Sequence, residues 1–309
     1  MDSQQRLIDI IGVPMDLGAS HRGTDLGPGA LRAAGLVEAL EALGYSVNVE
    51  PDVVVPSSES RETYGDKRAR FKEEILEVCQ ELASRTESSM RSGNMPLVLG
   101  GDHSIAMGTV AGLSQYYRAK KMKMGLLWVD AHGDMNTRMS SPSGNIHGMP
   151  LAHILGIEGC EEELLNLTSP SPWVDIKKTV LVGIRDIDKK EAAIVRDSGV
   201  HVYTMADIDK MGMPRVVKEV CDILTLDTDG FHVSFDVDGL DPDVVAGVGT
   251  PVPGGINFRE AHLLLEQLAL TQKMSSMEIV ELNPLLDNCN QGARNMIHLI
   301  TSAFGKSIL

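Results

Sequence analysis

The chain has 309 residues, 43% of them hydrophobic, enough for one large core. Its 28 basic and 43 acidic side chains give a formal charge of −15, which argues against nucleic acid or an anionic membrane surface as the main partner and suits a cationic small molecule. No stretch reaches the roughly 20 apolar residues of a membrane span, and the first residues carry no export or organelle leader pattern, so a cytoplasmic protein is expected.

Taken in chain order, short apolar strand candidates at 7 to 13, 46 to 49, 96 to 100, 124 to 129, 179 to 183, 200 to 203, 231 to 235 and 277 to 281 alternate with helical patterns. The helices are expected at 29 to 43, 67 to 91, 104 to 116, 190 to 197, 213 to 224, 258 to 270 and 290 to 303. A repeating β-α order implies an α/β fold of three layers, α/β/α, with a mainly parallel central sheet covered on both faces. Residues 1 to 309 read as a single domain. The polar runs at 56 to 65 and 158 to 173 read as surface loops, and the 16 scattered methionines as core filling. Cysteines at 79, 160, 221 and 289 are too far apart for a zinc knuckle or disulfide framework, and read as reduced, mostly buried thiols.

Three of these strands end in metal-ligand side chains. Asp130, His132 and Asp134 alternate directly after the run at 124 to 129, and alternate side chains of an extended chain share a face. Asp236 and Asp238 repeat the arrangement after 232 to 235, and His103 follows 96 to 99 across Gly-Gly-Asp. Each piece alone is common in turns and caps; together, after three apolar runs, they point to metal. Oxygen and nitrogen donors without thiolate suit manganese better than structural zinc. Four aspartates carry a charge of about −4, which two divalent ions offset and one does not, so a site for two Mn²⁺ per subunit is expected.

The segments Gly-Gly-Asp-His-Ser at 100 to 104, Asp-Ala-His-Gly-Asp-Met-Asn-Thr at 130 to 137, Ser-Gly-Asn-Ile-His-Gly at 143 to 148 and Ser-Phe-Asp-Val-Asp-Gly-Leu-Asp-Pro at 234 to 242 resemble the ureohydrolase family, and within it the arginases. The likeness runs from Gly12 to Pro284. It implies the α/β/α fold that ureohydrolases share with histone deacetylases, and two manganese ions. His103, Asp130, Asp134 and Asp236 would serve one ion and Asp130, His132, Asp236 and Asp238 the other, with Asp130 and Asp236 bridging. A hydroxide held between the ions would attack the guanidinium carbon of L-arginine, giving L-ornithine and urea.

By the same resemblance His147 would carry the proton to the leaving amine, and Glu281 would orient the guanidinium through paired hydrogen bonds, with Thr250 adding a hydroxyl contact. Asn136, Ser141 and Ser143, assisted by Asn145, match positions that bind the α-carboxylate. Asp188 and Glu191 match those that hold the α-ammonium. A site built for a carboxylate should reject agmatine. Two alternatives stay open: a ureohydrolase for another guanidino compound, and a metal-binding regulatory protein without catalysis. Arg259 and Glu260 resemble an inter-subunit ion pair of arginase trimers and hexamers, so a homo-trimer or homo-hexamer is expected. Ala246 stands where the family usually has proline, and the chain stops at Leu309 without the tail of animal arginases, as in bacterial-type enzymes. Histidines 21, 153, 201, 232, 262 and 298 read as packing or surface residues, with His21 near the site mouth.

Overall fold

The structure is a computed structural model that describes residues 7 to 56 and 65 to 307. Most of the polar run at 56 to 65 falls outside them. The strands are β1 (Ile8–Val13), β2 (Val47–Val49), β3 (Met95–Gly100), β4 (Met124–Val129), β5 (Thr179–Ile184), β6 (His201–Thr204), β7 (Gly230–Asp236) and β8 (Met274–Val280). They form one sheet in the order β2-β1-β3-β8-β7-β4-β5-β6, and every pairing is parallel.

The helices are α1 (Gly27–Ala33), α2 (Leu36–Glu41), α3 (Lys72–Arg91), α4 (Ala106–Ala119), α5 (Pro150–Leu155), α6 (Glu162–Leu165), α7 (Lys189–Ser198), α8 (Met205–Met211), α9 (Met213–Thr225), α10 (Phe258–Leu270) and α11 (Gln291–Ala303). Side chains leave a strand alternately to its two faces, and the core divides accordingly. Ile8, Leu97, Leu127, Val129 and Val180 join a cluster with α1, α2 and α8 to α11. Ile11, Val98, Leu126, Trp128 and Leu181 join one with α3, α4, α5 and Val195 of α7. The three expected layers are present.

Several boundaries differ from the sequence reading. The helix expected at 29 to 43 is two helices, broken at Gly35, whose φ of 96° no helix can include. The helix expected from 67 begins at Lys72, because residues 66 to 70 run across the 138 to 145 segment, where the Arg70 amide donates to Gly144 O at 3.0 Å. α6 falls inside the stretch read as a loop, and α5 and α8 are additions. The thiols are free, but only Cys79 is buried; Cys160 and Cys221 are half-buried and Cys289 is exposed. This corrects the expectation of mostly buried thiols.

Strand order explains why the site can form. β3, β8, β7, β4 and β5 are consecutive neighbours, and in a parallel sheet all their carboxyl ends lie at one edge. Residues up to about 180 positions apart in sequence therefore converge there.

Candidate active site

Gly101 makes the first turn possible. A Cβ there would lie 1.8 Å from Met15 O, so only glycine lets the chain after β3 pass that backbone and deliver His103 beneath the sheet edge. Asp102 caps the short 3-10 turn that follows, accepting from the Ser104 amide at 3.0 Å and the Gly18 amide at 2.7 Å. His103 is 1% exposed, and its ring stacks on Trp128 with centroids 4.0 Å apart. Its Nε2 meets Ser234 Oγ at 2.8 Å, and Ser234 donates to the fully buried Glu278 at 2.6 Å. That chain fixes which ring nitrogen carries a proton and leaves Nδ1 free.

His103 Nδ1 has three carboxylate oxygens around it: Asp134 Oδ2 at 3.0 Å, Asp236 Oδ2 at 3.1 Å and Asp130 Oδ2 at 3.2 Å. Despite this crowd, no hydrogen bond to the buried atom is aligned among the described residues. On the other side of Asp130, His132 Nδ1 lies 3.3 Å from Asp130 Oδ1 and 3.1 Å from Asp238 Oδ2. Asp130 thus gives one oxygen to each cluster. Its Oδ2 also accepts from Trp128 Nε1 at 2.9 Å, and its Oδ1 from the His132 amide at 2.7 Å.

These spacings fit metal ions better than a network of hydrogen bonds. An octahedral ion about 2.1 Å from its donors sets neighbouring donors about 3.0 Å apart, close to the 3.0 to 3.3 Å found here. Protonation behaviour agrees. Burial, then the charges of Asp238 and Asp130, pushes Asp236 well above the usual carboxylate range. Burial and Asp130 push Asp134 up to about 6. Burial opposes a charge on His103, yet the crowded carboxylates Asp130, Asp134 and Asp236 raise it well above 6.5. A site that holds protons this strongly lacks positive charge, which divalent cations supply.

The two residues expected to do chemistry touch each other. Glu281 Oε1 lies 3.0 Å from His147 Nδ1 and accepts from the His103 amide at 2.9 Å. Burial alone would lower the His147 pKa, but the Glu281 charge and hydrogen bond, with Asp102 and Asp134, push it up to about 9. Glu281 and Asp134 both adopt left-handed backbone, with φ of 65° and 50°. Such conformations cost of order 1 kcal/mol and persist where the surroundings enforce them; here each aims a carboxylate into the site.

A cavity of about 230 Å³ opens above the clusters, lined by His132, Asp134, Asn136, Ser141, Ser143, Asn145, His147, Asp186, Asp188, Glu191, Asp236, Asp238 and Thr250. The residues matched to carboxylate and ammonium binding are therefore together. Asp188 caps α7 and accepts from Asn136 Nδ2 at 2.8 Å. Glu191 accepts from the Met135 amide at 2.9 Å, and burial lifts its pKa to about 8. Ser143 Oγ, on an exposed loop position, accepts from the Asn145 amide at 3.2 Å. Asn145 pairs with Ser20 rather than pointing free, donating to its hydroxyl at 2.8 Å. Thr250 donates to Asp238 Oδ2 at 2.8 Å. A larger cavity, about 620 Å³, lies beside Trp173 at the other end of the sheet, away from these groups.

The family model for the arginase family matches residues 6 to 305. The chain belongs to the arginase family. It is accordingly a hydrolase, and arginases with curated names resemble it along nearly its whole length. The arginase of Bacillus caldovelox is 45% identical over 302 residues, 98% of this chain and 99% of that one. Its solved structure has a TM-score of 0.94 at 44% identity, covering 99% of this chain and all of that one. The Entamoeba histolytica arginase solved with L-ornithine has a TM-score of 0.89 at 33% identity, covering 98% and 100%.

Several other residues named in the sequence have partners within the chain. Glu260 closes a capping box with Asn257 at the start of α10, accepting from its amide at 3.0 Å, while Arg259 is exposed. His153 and His232, read as packing residues, are both fully buried beside carboxylates: His153 Nε2 is 2.8 Å from Glu161 and His232 Nε2 is 3.5 Å from Glu278. Asp102, Ser234, Glu278 and Arg185 support the site, yet none was singled out as a site residue in the sequence. Their signal was weak: an aspartate in a turn, a serine and a glutamate inside strands, and an arginine at a strand end. No helix among the described residues is long and apolar enough to cross a membrane.

Proposed function

We propose that this chain hydrolyses L-arginine to L-ornithine and urea at two Mn²⁺ ions, one held by His103, Asp130, Asp134 and Asp236 and the other by Asp130, His132, Asp236 and Asp238. The observation that carries the reading is Asp130, whose two oxygens face two different imidazoles at 3.2 and 3.3 Å. When bound, a pair of divalent ions supplies a water that is ionised near neutral pH. Nitrogen and oxygen donors without sulfur favour manganese over zinc.

The protein's own groups do the rest. Asp186, Asp188 and Glu191 give the cavity the acidic lining a cation seeks. The α-ammonium of arginine meets Asp188 and Glu191, and its α-carboxylate meets Asn136, Ser141 and Ser143 with Asn145 behind them. Glu281 accepts hydrogen bonds from the guanidinium and holds its carbon over the clusters, where a misplacement of about 1 Å would cost on the order of a hundredfold in rate. Water adds to that carbon, the bond to the side-chain nitrogen breaks, and this nitrogen must gain a proton to leave. His147, whose imidazole the Glu281 charge and hydrogen bond favour in its protonated form, gives it that proton and regains one from the added water.

The reading is tested by titrating metal-stripped protein with Mn²⁺ while following bound metal and urea from arginine. Turnover should appear with the second ion per chain. Full turnover at one ion per chain would contradict a site that needs both.

A further inference from the structure

Arg185 follows β5 directly and is half-buried, in a chain with a large excess of acids, yet no carboxylate pairs with it among the described residues. Its guanidinium is spent on backbone carbonyls. Nη2 donates to Asp238 O at 2.7 Å, Val252 O at 2.7 Å and Leu240 O at 3.0 Å. Nη1 donates to Gly239 O at 3.1 Å and Gly183 O at 3.2 Å, and Nε to Val252 O at 3.1 Å. One side chain therefore binds the end of β5, the three-residue turn Val237–Gly239 with Leu240 after it, and the loop beyond Thr250.

That loop leaves the sheet edge after Leu240 and returns at Ile256, where the two backbones pair. It is pinned at its base by Asp241, which accepts from the Gly254 amide at 2.8 Å and the Gly255 amide at 3.0 Å. It carries Thr250, whose hydroxyl reaches Asp238 Oδ2 at 2.8 Å. Asp238 is thus held through its carbonyl by Arg185, and through its carboxylate by the Ala131 amide on Oδ1 at 3.2 Å and on Oδ2 by a threonine on a loop that Arg185 also ties down.

We propose that Arg185 is a positioning residue that sets the Asp238 carboxylate and Thr250 as a unit, and so governs the ion on the His132 side of the site more than the ion on the His103 side. This inference rests on the two-ion reading above. A planar fork with five donors can serve carbonyls from three segments at once; a lysine ammonium keeps the charge but has only three donors at one point. Carbonyls of Asp238 and Leu240 that Arg185→Lys leaves unserved free the turn to shift, and outer-shell losses of this kind weaken metal affinity by about 10- to 100-fold.

The test is manganese binding by equilibrium dialysis to metal-stripped wild type, Arg185→Lys and Arg185→Met, without substrate. Expected for both variants is one ion bound as in the wild type and one bound about 10- to 100-fold more weakly, with the coupled two-ion EPR signal replaced by that of an isolated Mn²⁺. Two ions bound with wild-type affinity beside a lowered Tm would overturn the proposal and leave Arg185 a plain structural tie. In the unmodified protein, manganese should also slow amide exchange at 238 to 241 and at 250 to 255 together; protection of the first segment alone would equally overturn it. Dialysis reads metal only, so a wild type that binds two ions but releases no urea would refute the arginine reading and leave this one standing.

Discussion

Trp128→Phe isolates the bond that orients the shared carboxylate. Trp128 is fully buried in β4, donates from Nε1 to Asp130 Oδ2 at 2.9 Å and stacks on His103. Phenylalanine retains a ring for the stack and removes the donor. A buried hydrogen bond to a charged group contributes about 1.5–3 kcal/mol to the fold, and its loss frees the carboxylate to turn away from the ions. Asp130 gives one oxygen to each cluster, so both ions should bind more weakly, by about 10- to 100-fold. In the metal-free protein the lost bond and a void of about 40 Å³, itself worth about 1 kcal/mol, together cost about 2.5–4 kcal/mol of fold stability, a Tm loss of several degrees. Calorimetric titration of stripped protein with Mn²⁺ separates the two effects. Unchanged affinity for both ions, with only the Tm loss, would refute the assignment of Asp130 as the shared ligand held by Trp128.

His147→Ala should retain both ions and lose most urea release, since its imidazole is the one that meets Glu281 at the cavity; unchanged turnover would remove that role. Asp134→Ala should bring bound manganese below two per chain by removing one of three carboxylates around His103 Nδ1, and full occupancy would sink its assignment as a ligand. Ser143→Ala should raise the KM for arginine about tenfold with kcat unchanged, the mark of an interaction made equally in ground and transition states; a fall in kcat at constant KM would place Ser143 elsewhere in the reaction. A pH prediction concerns His153. Burial opposes its charge, but Cys160, Glu161 and Met149 O raise its pKa from 6.5 to about 10. A raised pKa stabilises the fold fully below 6.5, and the contribution is lost as pH climbs through about 10. Tm should therefore fall between pH 7 and 10, and Glu161→Gln should flatten that fall; an equally steep decline in the variant would place its cause in other groups.

The metal segments were legible because their ligand residue types follow apolar strands at short spacing, but the extended alternation expected of Asp130, His132 and Asp134 is absent: β4 ends at Val129, residues 131 and 132 bend, and a left-handed Asp134 faces the His103 cluster while His132 faces the other. Their meeting with His103 and Asp236 was not legible. It depends on β3, β8, β7 and β4 being consecutive in the sheet, and periodicity says nothing of strand order. Glu281 shows a further limit: a strand-end glutamate is unremarkable in sequence, and only a φ of 65° turns it toward His147. The break at Gly35 was available in the residues and was overridden by a continuous apolar pattern. The start of α3 at Lys72 was hidden because it is fixed by tertiary contact, the passage over Gly144. Arg185 was unreadable as a positioning group, since its partners are carbonyls, which carry no sequence signal.

The central claim is tested most directly by urea release from L-arginine and from agmatine, using metal-stripped protein with and without added Mn²⁺ at neutral and mildly alkaline pH. Urea from arginine that depends on manganese, with little or none from agmatine, is expected. Preference for agmatine would contradict the carboxylate-binding roles of Asn136, Ser141 and Ser143, and no urea from either substrate would contradict the arginine hydrolase itself.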